Sequence, residues 1–591
     1  MPPQPDLSAR TGSAGGPPPE IGFRDAFRQL RVLFGALRRS PYRRACFLLT
    51  FGLVAVICLN MLGQIRLNAW QGDFFDALEQ RLPGALLDQT LIFFAIVLVL
   101  LLFVVAETWF RELLEVRLRE WLTRDLLDQW VTGRRPWLLG FQGDIARNPD
   151  QRLQADARQL TELTITLGIG LLRSTLLLAG FLGVLWTLSA GAVFRLGESE
   201  LHIPGYLVWC ALAYAVSGSW LTWRVGRPMI GLNAERYARE AELRFALVRI
   251  SENAEAIALH DGAAGERRLL DQPVDAVVAI TRRLAYALAR LTWITSGYGW
   301  LGLIVPVLAA APGYFQGQLS FGGLMMTVGA FNQVQAALRW FVDYFPAIAD
   351  WRATLFRVVA LREILPGLDT LAEGEGRITY VEHTEPRITL ADLRVALPGS
   401  EVVLAEPLVE LAPGERLLLT GPKGVGKSAV FHALAGLWPW GSGTVHLPPR
   451  DRLAFLPGRP YLPLGSLRAV LAYPALPDSP ASTDTDPGAA LERTGLARLV
   501  PLLDTERRWD QELGTDEQQR LVAARLLLHR PAAVVMDEPM SALDPDRREL
   551  LADLFAHELE ATTVLALGPP VQDPFYHRRI TIERRPAGSG T

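Results

Sequence analysis

Residues suited to phosphate chemistry occur in one short stretch of this chain. Gly421-Pro-Lys-Gly-Val-Gly-Lys-Ser428, running into Ala429, has the spacing G-x-x-x-x-G-K-[ST]. Gly421, Gly424 and Gly426 let backbone N–H groups approach a polyanion, with Pro422, Lys423 and Val425 completing the loop. Lys427 is placed to reach the outer phosphate oxygens, and Ser428 to hold Mg²⁺. The chain has only two lysines, Lys423 and Lys427, and both fall here. At position 427 a compact ammonium fits where a guanidinium fork is too bulky. Downstream, the apolar run Ala532-Ala-Val-Val-Met536 ends in Asp537-Glu538. Asp537 suits the metal shell, and Glu538 suits a catalytic role orienting an attacking water. An Asp-Glu pair alone is also an ordinary strand end; together with the loop it predicts a site for ATP and Mg²⁺.

Such a loop needs a strand before it and a helix after it. Arg416-Leu-Leu-Leu-Thr420 reads as the strand and Ala429 to Leu437 as the helix, whose N-terminus adds its positive end. From about Arg377 onward, short β-rich runs, Pro/Gly turns and amphipathic helices predict an α/β domain.

The first 350 residues are different in kind. Uncharged stretches at 45–65, 89–106, 174–194 and 203–223 are each long enough to cross a bilayer. Leu291–Leu338 runs 48 residues without a formal charge, twice a bilayer's thickness, so it must fold back. Six spans result, with Pro306 and Pro312 expected to kink or stop the fifth. Arg and Lys number 8, 9 and 11 in segments 1–44, 110–162 and 224–290, against 2, 1 and 0 in 66–88, 195–202 and 312–320. That bias predicts cytosolic termini. The mixed-charge helical spacing in the two long basic loops reads either as a solvated face or as spans two to five continuing as stalks.

With 591 residues and a net charge of -3, nothing points to a nucleic-acid partner. Cys46, Cys58 and Cys210 all fall in spans, which argues against a disulfide framework or a zinc site. The start lacks a cleavable-signal pattern, and residues 1–20 read as a disordered tail. The expected organisation is a tail and lead-in helix over 1–44, a transmembrane domain over 45–360, a linker over 361–376, a nucleotide-binding domain over 377–585 and a tail over 586–591.

With these pieces in place the chain resembles an ABC half-transporter, and its membrane half resembles the SbmA/BacA-type family and its ATPase-fused relatives. Leu67-Asn-Ala-Trp-Gln-Gly-Asp-Phe-Phe-Asp-Ala77, Asn148-Pro-Asp-Gln-Arg152, Glu240-Ala-Glu-Leu-Arg-Phe245, Ala311-Pro-Gly-Tyr-Phe-Gln-Gly317 and Ala349-Asp-Trp-Arg-Ala353 carry that likeness. In the cytosolic half, Leu462-Pro-Leu-Gly-Ser-Leu467 and Ala435-Gly-Leu-Trp-Pro-Trp-Gly-Ser-Gly443 extend it. The resemblance implies a membrane protein with a six-span all-α ABC exporter-type transmembrane domain plus an α/β P-loop NTPase domain. It implies a homodimer rather than a heterodimer, Asp544 in a dimer-interface loop, and a bacterial inner membrane. The implied cargo is a hydrophilic solute or peptide, of the antimicrobial-peptide, bleomycin or cobalamin class, moving inward.

Four positions depart from the family pattern. Gly458 stands where a Gln is expected. In the signature Leu513-Gly-Thr-Asp-Glu517, Gly514 replaces Ser and Asp516 replaces the second Gly, with Thr515 between them. Pro569 takes the place of a switch His. The adenine-stacking aromatic expected near Val395-Ala-Leu397 is also missing. An Asp516 carboxylate about 5 Å from a partner-bound phosphate costs on the order of 3 kcal/mol per unit pair, unless it turns away. A slipped register, with Thr515 supplying the hydroxyl and His577 or His529 the switch, is the competing reading. The departures predict ATP binding with weak hydrolysis.

Charges in spans default to functional candidates, and Glu107 and Arg173 are the foremost. Both also fit as boundary residues, while Arg339 and Asp343 read as an i,i+4 pair. The alternative function is a proton-coupled transporter in which Glu107 carries protons and the nucleotide-binding domain is vestigial or regulatory.

Overall fold

The computed structural model describes residues 23–141, 149–190, 193–196, 199–369, 376–383, 385, 387–475, 486–537 and 545–586. The described residues form two compact units, one drawn from 17–128 and 148–362, the other from 129–147 and 363–591.

The first unit is a helical bundle apart from one short hairpin. Long helices occupy each expected span: Arg43–Glu79, Pro83–Trp130, Pro149–Leu188, Tyr206–Gly226, Ala263–Phe315 and Phe321–Asp343. Among the described residues, the first, second, third and fifth are long and apolar enough to cross a membrane by length and composition. The fourth and sixth, of 21 and 23 residues, fall outside that set. The sixth lies inside the bundle, against helices Arg43–Glu79, Ala157–Leu188, Tyr206–Gly226 and Ala263–Phe315, with Phe331 and Val334 at 0% exposure.

Close packing in this unit relies on small residues, because lipid offers little hydrophobic drive between helices. A Cβ at Gly322 would stand 2.1 Å from Gly72 O. Asp76 closes the same junction: it accepts from Gly322 N at 2.7 Å and from Ser320 Oγ at 3.0 Å, satisfying one N–H group and one hydroxyl at the start of the sixth helix. Asn68 Nδ2 donates to Met326 O at 3.2 Å, and Trp70 Nε1 to Gln89 O at 2.7 Å.

Two span boundaries differ from expectation. The third helix stops at Leu188, and Val193–Leu196 pairs antiparallel with Ser199–His202, so 193–194 belong to a hairpin. The fifth helix runs through Pro306 and Pro312 to Phe315. The fold-back is made instead by Gly317, at φ +70°, and by Ser320, whose Oγ accepts from Gly323 N at 3.0 Å. The first, second, third and fifth helices run on past their apolar stretches, while the fourth ends at Gly226 and a separate helix, Pro228–Glu252, follows. Beyond the apolar stretches Asp156, 4% exposed, accepts from Arg357 at 2.7 and 2.8 Å, and Asp125 accepts from Arg362 at 2.8 Å.

The second unit is built on a ten-stranded sheet. Strands Arg578–Pro586, Arg416–Thr420, Thr563–Gly568, Ala533–Asp537 and Leu453–Leu456 run parallel in that order. Their side chains alternate between two cores: Leu418, Val534, Met536, Val564 and Ala566 enter one, Leu417, Leu419, Val535, Leu565 and Leu567 the other. Burial on both faces explains why these strands read as continuous apolar runs.

Gly322→Val should lower the thermal midpoint of the detergent-solubilised protein, in keeping with an overpacking cost of about 1–3 kcal/mol. Gly299→Ala, whose Cβ would meet nothing within 4 Å, should leave it near wild type.

Candidate functional site

The parallel register gathers the sequence motifs at one sheet edge. Gly568 pairs with Thr420, Asp537 with Leu567, and Met536 with Leu456. The loop 421–426, Asp537, Pro569 and Pro457-Gly458 therefore all leave the C-terminal ends of neighbouring strands, where open α/β sheets bind ligands.

The loop between strand Arg416–Thr420 and helix Lys427–Leu434 is tightly determined. Gly424 and Gly426 hold φ of +85° and +114°, and a Cβ at Gly426 would lie 2.7 Å from Val402 Cγ2. Lys427 is buried, with Nζ donating to Gly421 O at 3.1 Å and Pro422 O at 3.3 Å. Pro422, Lys423, Gly424 and Ser428 are exposed, Val425 is buried beneath them, and Ala429 is half-buried. The geometry is an amide-rich cradle with an ammonium at its floor and a hydroxyl at its rim. Triphosphate and a hard cation suit these donors.

Gly458 lies beside the metal-shell candidate: a Cβ there would meet Asp537 O at 3.5 Å, an ordinary contact. A Cβ would fit there without displacing Asp537. Pro569 directly follows Gly568, which pairs with the strand leading into the loop. Neither alternative histidine reaches this edge. His577 Nδ1 accepts from Arg416 N at 3.3 Å, at the opposite end of that strand, and a His529 ring nitrogen meets Leu471 O at 3.3 Å. Glu538 and Asp544 lie outside the described residues.

The signature segment starts helix Thr515–His529, with Gly514 at its N-cap and Thr515 exposed. Asp516 does not project from the helix end as an unrelieved charge. It bonds back to Arg520 at 3.0 Å, and Arg520 donates to Gly495 O at 2.8 Å. Asp516 thus has a counter-charge on its own helix. Glu517 accepts from Arg498 and, at 3.4 Å, from Gly514 N, and the Arg498 bond holds its carboxyl below the usual range. Two acids in a first helical turn also have an ordinary stabilising role.

A family model described as ABC transporter transmembrane region 2 matches residues 33–315, and one described as ABC transporter matches residues 406–541. The chain belongs to the ABC transporters. This transporter is 28% identical to the inner membrane ABC transporter ATP-binding protein YddA of Escherichia coli (strain K12), over 87% of this chain and 90% of that one. It is 29% identical to ABC transporter D family member 2, chloroplastic, of Arabidopsis thaliana, over 75% and 70%. A solved bacterial Atm1-family ABC exporter with ATP bound shares its fold, with a TM-score of 0.65 at 15% identity, over 90% of this chain and 91% of that one.

Sequence reasoning missed one part of the transporter. A short helix, Arg135–Leu139, packs against the end of the phosphate-loop helix within the second unit. Arg134 Nη1 donates to Gly436 O at 2.7 Å and Trp137 Nε1 to Leu437 O at 2.9 Å, while the Trp137 ring lies 4.9 Å from that of His432. Phe141 packs edge-on against Trp438 and Trp440. Gly436, at φ +67°, leaves the room Arg134 fills: a Cβ there would stand 2.3 Å from Nη1. The available signal was Arg134-Arg-Pro-Trp137 in a basic loop and Trp438-Pro-Trp440 after the loop helix.

In the membrane half of the transporter, Arg173 Nη2 donates to Glu107, which is 7% exposed. Their depth follows from neighbouring contacts. A Cβ at Gly52 would lie 3.0 Å from Phe110, one at Gly63 2.6 Å from Leu100, and one at Gly180 2.3 Å from Met61. With equal rise per residue, Glu107 is level with about residue 55 of the first span and Arg173 with about residue 54. That is the middle of the uncharged stretch 45–65, not its boundary.

Burial pushes the His432 imidazole below its ordinary value, with the Asp537 charge partly offsetting this. A depressed folded-state value means stability is full at neutral pH and is lost as pH falls below about 6.5, where the unfolded imidazole takes a proton first. The thermal midpoint should fall between pH 7 and pH 5.5 more steeply in wild type than in His432→Phe, compared by melting at each pH.

Proposed function

We propose that this chain is one half of a homodimeric transporter that binds Mg-ATP at the sheet edge and hydrolyses it slowly. In this reading Gly421 to Ala429 hold the phosphates with Lys427 at the β/γ oxygens, Ser428 and Asp537 hold Mg²⁺, and Glu538 orients the attacking water. The metal, when bound, would neutralise charge between β- and γ-phosphoryl oxygens. The observation carrying the proposal is the convergence of the cradle, Asp537, Gly458 and Pro569 on adjoining strand ends. Slow hydrolysis follows from chemistry: Gly458 offers no side-chain ligand, and Pro569 neither donates nor accepts through its side chain. Gly514, Thr515 and Asp516 would face nucleotide held by the partner copy, with Asp516 restrained by Arg520, and Asp544 would lie at the same interface.

For cargo, we favour a hydrophilic peptide or cofactor-like solute, moved inward across a bacterial inner membrane with both termini cytosolic. Polar groups between the fourth, fifth and sixth helices support this, with Tyr298, Gln335 and Arg339 lining one small space. A second reading, proton-driven transport with a regulatory nucleotide domain, is favoured by Glu107 at mid-span depth.

Lys427→Ala should weaken Mg-ATP binding by roughly 10–100-fold, the loss expected for a charge-assisted contact to phosphate, as read by equilibrium titration. Gly458→Gln should fold normally and raise the ATPase rate. Uptake of a fluorescent cationic peptide into proteoliposomes separates the two functions. Loss in Lys427→Ala and Glu538→Gln supports ATP-driven transport; loss only with an uncoupler supports the second reading and sinks the first.

A further inference from the structure

Helix Phe23–Arg39 precedes the first span, with Ala26, Leu33 and Leu37 buried and Phe27 and Phe34 exposed. Between Leu33, Phe34 and Leu37 of this helix, Cys46 of the first span, Trp121 of the second and Leu160 of the third lies a cavity of about 240 Å³. Its threonine hydroxyls are already committed elsewhere. Thr50 Oγ1 donates to Cys46 O at 2.8 Å, Thr161 Oγ1 to Arg158 O at 2.8 Å, and Thr164 Oγ1 to Leu160 O at 2.6 Å. Such a wall offers water few partners; an apolar cavity of only about 150 Å³ stays dry and takes benzene.

The rim has the opposite character. Arg38, Arg39, Arg43 and Arg44 are exposed around the turn joining the lead-in helix to the first span. The Arg38 guanidinium lies 5.7 Å from the centre of the Phe34 ring, directly over a wall residue. An apolar slot of this size with fixed positive charge at its mouth, at the start of a membrane-crossing helix, matches one kind of molecule. We propose that it takes one acyl chain of an anionic phospholipid from the leaflet on the side of the arginine-rich loops, with the phosphate held by the arginines of 38–44. The lipid would wedge the lead-in helix against the first three spans, making their packing sensitive to headgroup charge.

The full-length protein in nanodiscs of equal phosphatidylglycerol and phosphatidylcholine, released for native mass spectrometry, tests this. About one phosphatidylglycerol per chain should be retained in preference to phosphatidylcholine. Arg38→Gln and Arg39→Gln should each lower that retention about fivefold, from the roughly 1 kcal/mol a basic group gains at an anionic surface. Cys46→Phe, which fills the slot, should abolish it. Should Cys46→Phe fail to fold, N-ethylmaleimide alkylation of Cys46 in a Cys58→Ala/Cys210→Ala background gives a second readout, slower in phosphatidylglycerol than in phosphatidylcholine nanodiscs. Equal retention of the two lipids, retention untouched by the arginine changes or by a folded Cys46→Phe, or equal alkylation rates would overturn the proposal.

Discussion

Parallel pairing that ends four strands at one edge is the constraint on which the nucleotide half depends. Thr420 opposite Gly568, and Leu567 opposite Asp537, bring the phosphate loop and the acidic strand end to one line. The register is held by the cores, not by the site. Because Val534 and Met536 fill one core and Val535 the other, a slip of one residue would exchange them and turn Asp537 to the wrong face. Lys427, Gly458 and Pro569 inherit their positions from this packing. The loop helix is also fixed at its far end, where Trp137 and Arg134 hold the turn at Gly436 and Leu437. Binding that moves the loop must therefore act on that contact.

In the membrane half, close approach and desolvated charge play the corresponding roles. Glycines at 52, 63, 72, 180 and 322 admit neighbouring side chains or backbone, which sets helix depth against helix depth. That ladder puts Glu107 and Arg173 in the middle of the bundle, where an unpaired charge is costly and a paired one persists. The stretch Leu67–Ala77 gains a physical account as well. Asn68, Trp70 and Asp76 tie the first helix to the sixth and second, and Asp76 satisfies the Gly322 amide at the start of the sixth.

Much of this architecture was legible in the sequence, for identifiable reasons. The phosphate loop has a fixed spacing and a strand on one side, and the spans declare themselves by uncharged length. The ends of elements were harder to read. Pro306 and Pro312 look like stops, yet the helix passes through both because packing overrides the local penalty, and the turn depends on Gly317 and Ser320. Asp516 looked like a misplaced charge because its partner, Arg520, becomes a neighbour only once the helix forms. Likewise the Trp137–His432 contact joins residues almost 300 positions apart, which no local pattern signals.

The central claim is a site built to hold Mg-ATP but lacking two groups that speed its turnover. Equilibrium binding of Mg-ATP and steady-state phosphate release, measured on one preparation of the purified full-length protein, address it most directly. The account predicts saturable binding together with turnover well below the ~10 s⁻¹ typical of enzymes. Failure to bind nucleotide, or turnover at that ordinary rate, would contradict it.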